Sequence, residues 1–93
     1  MQNIELWQGN CLEKLQELID QNIKVNSVIC DIPYGTTACS WDEIIPFDKM
    51  WELLNQITYD DSPIVLFSSQ PFTSRLINSN INNFREEIIW LKK

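Results

Sequence analysis

Val28-Ile29-Cys30-Asp31-Ile32-Pro33-Tyr34-Gly35 is a short apolar run that stops on an acid, a proline, an aromatic ring and a glycine. Pro33 lacks the N–H that a sheet ladder needs, and Gly35 permits a turn. The stretch therefore predicts a strand that ends in a loop, and the sequence on either side repeats strand and helix signals in alternation. On the N-terminal side, Ile4-Glu5-Leu6-Trp7 alternates like a short strand. Asn10 then caps a helix, Glu13 completes a capping-box-like spacing, and Leu12, Leu15, Ile19 and Ile23 recur at helical intervals. On the C-terminal side, residues 36–46 lack periodicity, a connection of the length that is often functional. Phe47, Met50, Trp51, Leu54 and Ile57 then mark the buried face of a second helix, which Tyr59-Asp60-Asp61-Ser62-Pro63 ends.

Ile64-Val65-Leu66-Phe67 is continuously apolar, as expected for a parallel strand covered on both faces. Ser68-Ser69-Gln70-Pro71 reads as the start of a third helix with Phe72, Leu76 and Ile77 on its apolar side, and a last strand is expected over residues 87–91. Strand and helix in this order predict one α/β domain over residues 1–93, with a sheet of about four mostly parallel strands and about three helices.

Composition narrows the function classes. The 93 residues are 44% apolar and contain no histidine, which removes Ser-His and Cys-His nucleophile pairs. Cys11, Cys30 and Cys39 are odd in number and lack C-x-x-C spacing, so reduced thiols are expected rather than a disulfide framework or a metal site. Apolar runs of four residues are far too short to span a membrane, and a cytoplasmic protein is expected. Thirteen acidic against seven basic residues give a formal charge of -6, the wrong sign for neutralising phosphates. DNA binding by these residues alone should be weak.

In an open α/β sheet, ligands sit beyond the carboxyl ends of the strands, where Asp31-Ile32-Pro33-Tyr34 falls. The plain reading is a turn stiffened by Pro33 and covered by Tyr34. The chemical reading is that Asp31 and a proline-supported backbone accept hydrogen bonds from an exocyclic amino group while the Tyr34 ring stacks on the base that carries it. The wider stretch Asp31-Ile32-Pro33-Tyr34-Gly35-Thr36-Thr37-Ala38-Cys39-Ser40-Trp41-Asp42 resembles the D-P-P-Y-G-T-T-x-x-x-W-D segment of phage and prophage DNA methyltransferases that act on adenine or cytosine amino groups. Leu66-Phe67-Ser68-Ser69-Gln70-Pro71-Phe72-Thr73-Ser74 resembles that family's L-F-G-S-Q-P-F-T-S strand-to-helix stretch, and the likeness runs from Ile4 to Trp90.

The resemblance implies a partial Rossmann-like, methyltransferase-type sheet, S-adenosylmethionine as the family's methyl donor, and a bacterial cytoplasmic setting with phage or prophage origin. Position by position, the target-base roles fall on Asp31, Pro33 and Tyr34. Contacts toward the cofactor fall on Asn10 and, more weakly, Asp31. The chain departs from the pattern at Ile32, where the family has a second proline, and at Asn10, where relatives carry an acid that binds the donor's adenine. The glycine-rich F-x-G-x-G-type loop that approaches the donor is missing from these residues, whose two glycines are Gly9 and Gly35. A truncated methyltransferase-like domain, inactive alone, is the reading that follows. In the family's sheet the missing strands lie between residues 4–7 and 28–30, so those two segments are expected to close up, or a protein partner or second copy to cover the open edge.

Trp51 and Trp90 fit core patterns, whereas Trp41 suits a base pocket, a partner surface or simple loop packing. Asp42, Glu43, Asp48, Glu52, Asp60 and Asp61 are ordinarily a solvated face. Read together with Trp41, they suggest the alternative function of a small acidic inhibitor that blocks a restriction or RNA-guided defence complex by protein–protein contact.

Overall fold

The computed structural model describes residues 4–35, 43–89 and 91. Three α-helices and two strands follow one another as α1 (Cys11–Asp20), β1 (Val28–Cys30), α2 (Phe47–Ile57), β2 (Ile64–Leu66) and α3 (Phe72–Ser79), with a 3-10 turn over Ile81–Asn83. Among the described residues no helix is long and apolar enough to cross a membrane.

The helices form where capping and periodicity place them. Asn10 holds extended backbone, and its Oδ1 accepts from the amides of Leu12 at 2.9 Å and Glu13 at 3.3 Å, satisfying donors that α1 itself cannot use. Met50, Leu53, Leu54 and Ile57 bury one stripe of α2. Ahead of α3, the Gln70 side chain accepts from both the amide and the hydroxyl of Ser74, while Pro71 occupies the cap position and Phe72, Thr73 and Leu76 are buried. The Trp51 indole donates to Ser79 Oγ at 2.8 Å, pinning α2 to the end of α3.

The sheet differs from expectation. Among the described residues it has two strands, not the about four of a partial Rossmann-like sheet: β1 pairs β2 in parallel with Val28 opposite Ile64 and Cys30 opposite Leu66. A bridge between Val25 and Thr58 extends the pairing at one end, and the Phe67 amide donates to the Cys30 carbonyl at the other. Neither residues 4–7 nor the described part of 87–91 forms a strand, and residues 4–7 do not close onto β1. The reason is energetic. Ordering four residues costs about 4–8 kcal/mol of backbone entropy, and Ile4 and Leu6 remain 87% and 94% exposed, so they recover almost no burial energy. An alternating segment becomes a strand only where an edge and a covering layer receive it.

The core is one cluster of Ile32, Met50, Leu54, Ile57, Phe72 and Leu76, against which Leu15, Leu18, Ile19, Val28, Cys30, Ile64 and Leu66 pack. All these strand residues point to the helical side. On the opposite face Ile29 is 74% exposed and Val65 47% exposed, so the sheet is covered on one face, not two.

Candidate active site

The loop at the carboxyl end of β1 is built from alternate anchors and exposed groups. Ile32 is 5% exposed and belongs to the core cluster, so the residue that departs from the proline pattern fastens the loop by its side chain instead of by a restricted φ. Its neighbours face outward to different degrees: Asp31 is exposed, and Pro33 and Tyr34 are half-buried. Gly35 has φ of 72°, a left-handed turn that glycine adopts without steric cost.

Two contacts with described residues hold Tyr34. Its ring stacks on Phe72, with centroids 5.3 Å apart and planes 29° from parallel. Its hydroxyl donates to Asp31 Oδ1 at 3.2 Å. Burial, and then the hydrogen bond and charge of Asp31, hold the phenol above its usual pKa, so Tyr34 stays a protonated donor at neutral pH. Asp31 is thereby steered by one oxygen. A carboxylate has about four lone-pair directions, and a single donor leaves acceptor capacity.

Phe72, which the sequence places on the apolar side of α3 and within the Gln70-Pro71-Phe72 stretch but gives no part in the site, is the residue that braces Tyr34. It lies 38 positions beyond Tyr34 by number and supports the ring from the start of α3, with Phe47 tilted against it at 5.7 Å. Its place in the Gln70-Pro71-Phe72 run was the available signal.

The N-terminus of α1 reaches the same end of the sheet. The Cys30 thiol is pushed up by burial, by the neighbouring Cys11 and by Asp31, and burial raises Cys11 as well. Both thiols are therefore poor nucleophiles at neutral pH. Asn10, expected to face a cofactor, spends its side-chain oxygen on capping α1. Gly9 takes a positive φ of 146° that an L side chain rarely adopts, and the flexible end of the Lys14 side chain lies over it, Cε 2.7 Å from where a Cβ would stand.

The acidic residues do not converge. Glu43, Asp48, Glu52, Asp60 and Asp61 are all exposed, but they run from before α2 to beyond its end, a helix about 16 Å long at 1.5 Å per residue. Asp48 sits in the first turn of α2, where a negative charge suits the helix dipole, and Glu52 pairs with Lys49 at 3.8 Å. Trp41 and Asp42 lie outside the described residues.

No family model, curated protein or solved structure matches this chain.

Proposed function

We propose that the loop of Asp31, Pro33 and Tyr34 is the target-base end of a DNA amino-methyltransferase, and that these 93 residues handle the base without holding the methyl donor. The observation that supports this most is the Asp31–Tyr34 pair: a carboxylate oriented by a phenol, beside a ring braced by Phe72, at the carboxyl end of a parallel strand. Asp31 accepts from an exocyclic amino group, Pro33 stiffens the backbone beside it, and Tyr34 positions the carboxylate and offers aromatic surface to an extruded base. Asn10 is committed to its helix and the two glycines make no cofactor loop, so methyl transfer requires a donor site formed by other residues. No step of transfer is assigned to this chain.

A short single-stranded oligonucleotide carrying 2-aminopurine, titrated at low salt, tests the proposal through quenching of the base. Asp31→Asn should weaken the interaction about tenfold, as expected when a hydrogen bond to a charged group is lost, and Tyr34→Ala should abolish the quenching. Quenching that is absent from the wild type, or equal in both variants, would overturn the reading. The acidic-inhibitor alternative rests on the net charge of -6, and the spread of the acids along α2 makes it the second reading.

A further inference from the structure

A cleft of about 490 Å3 lies between the end of α1 and the end of α2, lined by Asn22, Lys24, Asn55 and Tyr59 over a floor of Ile19 and Ile23. Both helices precede parallel strands of one sheet, so both end at the side from which the strands start. The cleft is therefore at the opposite end of the sheet from Asp31 and Tyr34.

Its electrostatics are specific. Two helix C-termini, each bearing the negative end of a dipole, meet there, and neither helix has a basic residue in its last turn. Asp20 closes α1, and the exposed Asp60 and Asp61 follow Tyr59 directly. Within this setting the Lys24 ammonium lies over the Tyr59 ring, 5.4 Å from its centroid. The ring, 48% exposed, already receives a cation from its own chain. Asn22 and Asn55 add amide oxygens of the kind that accept from a guanidinium fork.

We propose that this cleft docks an arginine side chain presented by a basic partner polypeptide, the guanidinium stacking on Tyr59 in place of Lys24. The cleft is open rather than enclosed, which suits a side chain on a larger partner better than a free small molecule. The net charge of -6 draws such a partner and opposes a second copy of this chain. The proposal does not depend on the base-handling role of the Asp31 loop.

The test titrates an amidated peptide carrying one arginine among glycines and serines, alongside the same peptide with citrulline and alongside free arginine amide, following the amide resonances of residues 22–24 and 59. The arginine peptide should bind at the cleft and the neutral citrulline peptide should not. Tyr59→Leu, which leaves the charge unchanged, should weaken binding about two- to fivefold, and Lys24→Ala should strengthen it by a similar factor. Equal binding of the citrulline peptide, or an unchanged affinity in Tyr59→Leu, would overturn the site. Free arginine amide binding as tightly as the peptide would overturn its assignment to a polypeptide partner.

Discussion

At the scale of single residues, the loop after β1 divides its labour by alternation: Ile32 goes into the core, Asp31 stays in solvent, and Tyr34 is braced between Asp31 and Phe72. Tyr34 offers a direct check by titration. Its phenol is held above the ordinary tyrosine value of about 10 by burial and by Asp31. Folding thus favours the protonated phenol. The stability it contributes is complete below the unfolded pKa and is lost as pH rises through the higher folded value. Denaturation midpoints followed upward from neutral pH should fall more steeply above pH 10 in the wild type than in Tyr34→Phe, and identical slopes would show that the ring is not held as described. Asp31, Pro33 and Tyr34 stood out in the sequence as one loop because acid, proline and tyrosine sit within four positions, but the hydrogen bond that joins Tyr34 to Asp31 did not. The roles of Ile32 and Phe72 did not stand out either, since neither carries chemistry and each acts through what it packs against.

At the scale of elements, the helices were readable and the strands much less so. Capping is a local matter of side chain to backbone, and Asn10 shows it by reaching amides two and three residues ahead. Asn10→Ala should destabilise the fold by about 1 kcal/mol with little change in any base binding, measured by chemical denaturation beside the 2-aminopurine titration. A loss of base binding without a loss of stability would return Asn10 to the site. Leu53 and Leu18 joined the packed faces without having been marked, because a helical stripe is wide enough to include neighbours of the periodic positions. Strand formation is different, since residues 4–7 have the right pattern and no pairing. A strand's hydrogen bonds lie on another segment, and a pattern along one segment does not show whether that other segment accepts it.

At the scale of the whole molecule, the notable feature is a parallel pair with helices on one face only. Ile29 and Val65 lie side by side in register on the bare face, and Phe67 follows at 49% exposure. Exposed parallel strands are rare because βαβ crossovers ordinarily bring cover to both sides. Threonine at both positions, Ile29→Thr with Val65→Thr, should keep strand propensity, lower concentration-dependent association in sedimentation, and shift stability by no more than about 0.5 kcal/mol per surface site. A loss of several kcal/mol would mean that this face is covered in solution. The sequence by itself determined the three helices, the two apolar segments that become β1 and β2, and the turn that follows β1, because caps, helical periodicity and turn residues operate over a few consecutive residues. Only the tertiary structure decided how many strands pair, which sheet face stays bare, that Phe72 braces Tyr34, and that the ends of α1 and α2 frame a second cleft. Those are contacts between distant segments, and whether each forms depends on the burial gained when the segments meet against the entropy lost in ordering them.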